Sequence, residues 1–123
     1  MAFQMGAFGE RHLAHSEQAQ QAIDQIVKHI VEQYHPESII LFGSYAYGEP
    51  DAGSDVDLLV VKDTNERPID RRVAVRRIAQ AKRHGVPFSP LVITPQELAR
   101  RLEVGDPFYH EIVDRGKVLY AQA

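Results

Sequence analysis

Apolar residues recur at intervals of three and four in the first third of the chain, which is the periodicity of an amphipathic helix. The repeating positions are Ala19, Ala22, Ile23, Ile26, Val27, Ile30 and Tyr34. Ser16 is a favourable N-cap residue, and Pro36 cannot continue a helix. The pattern therefore predicts one helix between these two residues, preceded by a flexible N-terminus at residues 1–15.

Two β-branched and aliphatic runs follow this helix and predict strands at residues 38–43 and at about 54–61. Between the strands, Tyr45–Gly48 is expected to form a short turn or helix. Residues 49–53 are rich in turn formers, so they predict a loop that returns the chain to the second strand.

The second half of the chain predicts two more strands, at residues 86–93 and 117–120. Pro87 and Pro90 interrupt the first of these, which favours an edge position because proline donates no ladder hydrogen bond. Three helices are also predicted. The first spans residues 68–84 and is closed by Gly85, and the second runs from the capping box Thr94–Glu97 to Glu103. The third spans residues 107–115 and is closed by Gly116. The expected fold class is α/β (α+β), with a small mixed sheet flanked by helices.

Length and composition limit the classes of protein to consider. A chain of 123 residues fits one domain, expected at residues 16–123, and leaves no room for a separate acceptor-binding domain. Because the chain has no cysteine, thiolate metal sites, disulfides and a cysteine nucleophile are excluded. No apolar run is long enough for a signal peptide core or a membrane span, so a cytoplasmic location without membrane association is expected.

The charges are unevenly distributed. Residues 1–61 hold 2 basic and 9 acidic side chains, whereas residues 62–85 hold 8 basic and 3 acidic ones. The basic side chains could surround a triphosphate or a polyanionic partner, or they could simply face water. Because no aromatic residue is interleaved with them, direct nucleic-acid binding is not expected.

The most informative motif is Gly43-Ser44, followed after ten intervening residues by Asp55-Val56-Asp57. A glycine and a serine at a strand end can offer N–H groups and a hydroxyl to phosphate oxygens. Asp55 and Asp57 are two residues apart in a predicted strand, which places both carboxylates on one face. Paired carboxylates repel each other, and a hard divalent cation such as Mg²⁺ offsets this repulsion.

These four residues resemble the minimal nucleotidyltransferases (MNT) of the DNA polymerase β superfamily, whose hallmark is Gly-Ser, about ten residues, then Asp-x-Asp. The resemblance extends more weakly to a Thr-Pro-x-Glu helix start at Thr94–Glu97 and to a terminal Gly-x-x-Leu-Tyr at Gly116–Tyr120. It implies a polymerase-β-like nucleotidyltransferase fold. It also implies Mg²⁺-dependent transfer of a nucleoside monophosphate, such as AMP from ATP or another nucleoside triphosphate, to an acceptor hydroxyl.

The resemblance assigns roles to individual residues. Asp55 and Asp57 are the expected catalytic and metal-binding residues, and Gly43 and Ser44 the expected nucleotide-binding residues. Members of the family with two-metal chemistry usually carry a third carboxylate on the next strand, but residues 86–93 contain neither Asp nor Glu. Ser89 stands near that position. Another acid such as Asp51, Asp63 or Glu97, an acid from a partner, a single metal, or loss of activity would each account for this departure.

Short stand-alone members of the family resemble this chain most in organisation, and many are MntA-like antitoxins that add AMP to a helical HEPN-type toxin. The resemblance therefore implies a HEPN-type protein partner, and self-association stays open. Two alternatives are transfer to a small hydroxylated molecule and a non-catalytic module that masks its partner. Elsewhere, the six histidines show no metal-ligand spacing, and Tyr45 and Tyr47 are expected to serve in packing, with stacking on a base as the alternative.

Overall fold

The computed structural model describes residues 2–51 and 53–123, with side chains described from Glu17 onward. The chain forms five helices and four strands over these residues. In order they are α1 (Ala2–Tyr34), β1 (Ser38–Phe42), α2 (Ser44–Tyr47), β2 (Val56–Val61), α3 (Pro68–Ala79), β3 (Phe88–Ile93), α4 (Pro95–Glu103), α5 (Pro107–Arg115) and β4 (Lys117–Ala121).

The strands form one mixed sheet in the order β3-β2-β1-β4. β1 pairs antiparallel with both β2 and β4, whereas β2 and β3 run parallel. A parallel pair needs a crossover connection, and α3 supplies it between β2 and β3. The predicted fold class, a small mixed sheet flanked by helices, is confirmed, and so is the edge position of β3.

Alternation along the strands divides the core into two layers. Val56, Leu58 and Val60 of β2 pack with α1 and α3. Leu59 and Val61 face the other side, where they pack with Ile112 of α5 and Leu98 of α4. We call these the α1/α3 face and the α4/α5 face of the sheet.

β3 begins at Phe88 instead of residue 86, because Val86 N–H still donates to the Arg83 carbonyl at 2.8 Å in a turn. Three other predicted boundaries are also wrong. α1 begins at Ala2 instead of after Ser16, because the preceding residues include many helix formers and no proline. α3 ends at Ala79 instead of residue 84, since Lys82 N–H donates to the Ala79 carbonyl at 2.9 Å in a tighter turn. The prediction that residues 1–15 are flexible stays a prediction, and their side chains, including those of His12 and His15, lie outside the described ones.

The third wrong boundary concerns the strand that carries the aspartates. β2 begins at Val56, and not at residue 54, because Ser54 still belongs to a turn in which its N–H donates to the Asp51 carbonyl at 3.1 Å. The Asp51 carboxylate accepts a hydrogen bond from Gly53 N–H at 2.8 Å, and Ser54 Oγ accepts one from Asp51 N–H at 2.9 Å. Asp55 therefore lies immediately before the strand instead of within it.

No helix in the described part of the chain is long and apolar enough to cross a membrane.

Candidate active site

The end of β1 delivers Gly43 and Ser44 to one end of the sheet. Gly43 caps α2 with φ 75° and ψ −155°, a combination that essentially only glycine adopts. Its carbonyl accepts hydrogen bonds from the N–H groups of Ala46 and Tyr47, both at 3.0 Å. The sharp turn between strand and helix therefore depends on the glycine, and it places Ser44 in the first position of α2.

Asp57 lies directly against this turn. A Cβ atom on Gly43 would overlap Oδ2 of Asp57 and come within 3.2 Å of its Cγ atom. Antiparallel pairing puts Asp57 opposite Phe42, the residue before Gly43. The Asp57 carboxylate thus occupies space that is free only because residue 43 has no side chain.

Asp55 and Asp57 influence each other electrostatically. The pKa of Asp57 is raised above its ordinary value, first because burial disfavours the charged form and second because of the negative charge of Asp55. A bound cation would offset both effects. Two carboxylates are a suitable donor set for a hard divalent ion such as Mg²⁺, which uses few protein ligands and takes its other ligands from water and substrate phosphates. The residues present therefore fit the expected metal.

The third carboxylate of the two-metal enzymes is absent from the neighbouring strand, β3, where the resemblance places it. In the parallel ladder of β2 and β3, Ser89 is the register partner of Asp57, so the two side chains share the α4/α5 face. A neutral hydroxyl is a weak metal ligand and a poor base. Among the described residues, no group of three or more acidic, histidine or cysteine side chains could hold a metal ion.

Two of the three acids considered as substitutes lie at the wrong end of the sheet. Asp63 lies two residues beyond the end of β2, and Glu97 follows β3 in α4, whereas Asp57 is near the start of β2. Four residues of strand separate Asp57 from Val61, which is about 13 Å. Glu97 is moreover paired with Arg71 at 2.7 Å. Asp51, in the loop just before Asp55, is the remaining acid of the three.

Part of the basic segment lies away from the aspartates. Arg71 and Glu97 line a cavity of about 480 Å³ with Arg100, Arg101 and Tyr109, beside the last residues of β3. Arg72 differs, since its Nε donates to the Pro90 carbonyl at 3.2 Å, one residue beyond Ser89. The two tyrosines after Ser44 pack on opposite sides of the sheet, Tyr45 with the α1/α3 core and Tyr47 with the α4/α5 core.

Helix α5 adds residues that the sequence did not reveal as neighbours of the site. The ring of Phe108 stands edge-on to that of Phe42 at 5.8 Å, and 48% of Phe108 is exposed. The guanidinium carbon of Arg115 lies 4.4 Å from the centre of the Tyr47 ring. Nothing in the local sequence pattern indicated either contact, because both depend on how α5 packs across β1.

Comparison with known proteins gives a consistent picture. The model of the family described as "Nucleotidyltransferase domain" matches residues 23–117. A curated relative, the "Putative protein adenylyltransferase MJ1305" of Methanocaldococcus jannaschii, is 41% identical over 86 residues, which are 68% of this chain and 57% of the relative. The chain therefore spans little more than half the length of that relative.

Proposed function

Because this chain belongs to the nucleotidyltransferase domain family, we propose that it transfers AMP from ATP to a hydroxyl group of a partner protein. The observation that carries the proposal is the contact between Gly43 and Asp57, with Asp55 near enough to raise the pKa of Asp57. A phosphate-binding turn and paired carboxylates at the same end of a sheet are what nucleotidyl transfer requires.

Asp55 and Asp57 would hold the divalent metal, Mg²⁺ in this proposal. When bound, the metal neutralises phosphate charge and orients the triphosphate for displacement of pyrophosphate. Ser44 donates its hydroxyl hydrogen to a phosphate oxygen of the leaving pyrophosphate. Gly43 lets the backbone approach the same phosphates closely. Positioning and charge stabilisation, instead of covalent catalysis, are thus the work of this site.

Removal of the proton from the acceptor hydroxyl is the step for which the chain supplies the fewest suitable groups. Ser89, next to Asp57 in the ladder, cannot serve as an effective base. Asp51 or a carboxylate of the partner would accept the proton in this proposal. Dependence on a partner residue would also make transfer specific for that partner.

The choice of a protein as acceptor is supported by the name of the relative, "Putative protein adenylyltransferase MJ1305". The motif's resemblance to minimal nucleotidyltransferases of toxin–antitoxin pairs suggests a helical HEPN-type partner. In this proposal the chain is the antitoxin, and adenylylation of a partner hydroxyl neutralises the toxin.

One observation favours a second candidate function. Ser89 in register with Asp57 leaves the site without the third carboxylate of the two-metal enzymes it resembles. A chain that binds nucleotide and metal but only masks its partner would need no base. The two candidates differ in whether a covalent product forms.

The test is incubation with Mg²⁺, ATP labelled at the α-phosphorus, and the product of the neighbouring reading frame. We expect label on the partner with wild-type protein and its loss with Asp55→Asn. Asp63→Asn is the matched control, since Asp63 is an exposed acid beyond the far end of β2. Tight association without label would support the masking module. Label found only on an added small hydroxylated compound would mean that the acceptor is a small molecule and not a protein.

A further inference from the structure

A triphosphate at the candidate site would meet an unusually negative stretch of chain. Residues 29–61 contain no lysine or arginine, whereas residues 43–57 include the four acids Glu49, Asp51, Asp55 and Asp57. A metal held by two of these acids leaves much of the charge of a bound triphosphate without a counter-ion. A cation from another part of the chain would therefore strengthen binding of the substrate.

Helix α5 brings such a cation to the site through its last residue. A Cβ atom on Gly116, which follows α5, would lie 2.6 Å from Cγ2 of Ile40 and 3.0 Å from the Leu41 carbonyl oxygen. The end of α5 is thus pressed against β1 two or three residues before Gly43. This packing sets the position of Arg115.

The ring of Tyr47 holds the Arg115 side chain beside α2. Their separation of 4.4 Å is within the range of a cation–π contact. Tyr47 is one helical turn after Gly43, to whose carbonyl its N–H donates at 3.0 Å. The stack therefore places the guanidinium next to the short helix that begins at Ser44.

Arg115 keeps enough freedom to bind a ligand. Its Nη1 atom pairs with the Glu111 carboxylate at 3.1 Å, and 56% of its side chain is exposed. A guanidinium has five N–H donors, so one ion pair with a half-exposed carboxylate leaves donors for phosphate oxygens. Exposed pairs of this kind within a helix are weak and readily exchanged.

We propose that Arg115 binds the β- and γ-phosphates of the nucleoside triphosphate, with Tyr47 as its positioning residue. This inference rests on the proposed function and adds a substrate-binding residue to it. Glu111 holds the guanidinium when no nucleotide is bound, and the triphosphate competes for the same donors. The chain thereby compensates for the lack of basic residues around its own phosphate-binding turn.

The test is the dissociation constant of α,β-methylene-ATP with Mg²⁺, an analogue that cannot transfer AMP. We expect Arg115→Gln to weaken binding about 10-fold or more, because a charge-assisted hydrogen bond is lost. Arg115→Lys should restore part of the affinity, and Glu111→Gln should increase it by releasing the guanidinium. Arg101→Gln is the matched control, since Arg101 is an exposed arginine paired with Asp106 at 3.7 Å near the far end of the sheet.

The unfolding temperature without nucleotide separates binding from structure. It should be the same for Arg115→Gln and the wild type, since Arg115 is exposed. Wild-type binding together with an Arg115→Gln affinity within twofold of it would overturn this inference and leave the proposed function standing. No binding to the wild type would overturn the proposed function, and this inference with it.

Discussion

Gly43 combines two demands that no other residue meets. Its φ of 75° with ψ of −155° is unfavourable for any residue that has a Cβ atom, and that atom would also collide with Asp57. The Gly-Ser and Asp-x-Asp motif was enough to predict that Gly43 and Asp57 lie together, and Asp55 acts on Asp57 electrostatically. The resemblance also placed Ser89 near the position of the third carboxylate, and the strand ladder puts Ser89 beside Asp57.

Replacing Gly43 with alanine should therefore damage both stability and nucleotide binding. We expect a loss of about 2 kcal/mol in the free energy of unfolding, from backbone strain and displacement of the Asp57 carboxylate. Gly105→Ala is the control, because Gly105 has a similar φ of 77° but open space around it. Denaturant unfolding would measure the difference, and equal losses in the two variants would contradict the role of the Asp57 contact.

The raised pKa of Asp57 predicts a pH effect in metal-free protein. The unfolded chain loses this proton near the ordinary value of 3.8, and the folded protein loses it at higher pH. Folding stability should therefore fall as the pH rises between these two values and stay level above the folded pKa. Asp57→Asn removes the titrating group and with it this loss of stability. The unfolding temperature of the variant minus that of the wild type should therefore increase from pH 4 to pH 7 in EDTA. Parallel curves for the two proteins would contradict the raised pKa.

At the scale of elements, local capping signals predicted some helix bounds, but they misplaced the start of α1 and the end of α3. Both bonds of the capping box form, from Glu97 N–H to Thr94 Oγ1 at 3.1 Å and from Thr94 N–H to Glu97 Oε1 at 2.8 Å. α4 and α5 keep their predicted bounds. The end of α3 was misplaced because Gly85 closes a separate turn after the helix, and a glycine alone does not say which turn it ends.

Glu97 links α4 to α3 through its pair with Arg71, so its removal should lower the free energy of unfolding by more than the loss of a helix cap alone. Its pKa is held below the usual range, first by the hydrogen bond from the Thr94 backbone and also by Arg71. Glu97→Ala would break the capping box and leave Arg71, whose side chain is 7% exposed, without its counter-ion. We expect a loss of about 2 kcal/mol in the free energy of unfolding.

Glu103→Ala is the control on the same helix, because Glu103 is exposed at its last position. It should change the free energy of unfolding by no more than about 0.5 kcal/mol. Thermal or denaturant unfolding of the two variants checks this. Similar effects from both substitutions would mean that the Arg71 pair adds no stability.

At the scale of the whole molecule, the sheet order decides which residues become neighbours. The motif on β1 and β2 could be read from the sequence because both of its halves are close together in the chain. Arg115 could not, since its place depends on β4 pairing with β1 and on Gly116 packing against Leu41. Contacts between distant segments follow from register and packing, which a periodic pattern does not encode.

The same topology separates two charged regions. The aspartates and the Gly-Ser turn are at one end of β1 and β2, and the arginine-lined cavity is beside the last residues of β3. Arg71 of the basic segment is therefore distant from the candidate site. Arg115 of α5 is the cation we assign to the triphosphate, because its stack on Tyr47 places it beside the short helix that begins at Ser44.

The most direct measurement of the central claim is transfer of label from ATP carrying it at either the α- or the γ-phosphorus. Nucleotidyl transfer with Mg²⁺ predicts that only the α-label reaches the acceptor, and that Asp55→Asn abolishes this label while Asp63→Asn does not. Transfer of the γ-label, or α-label that persists in Asp55→Asn, would contradict the assignment of the paired aspartates.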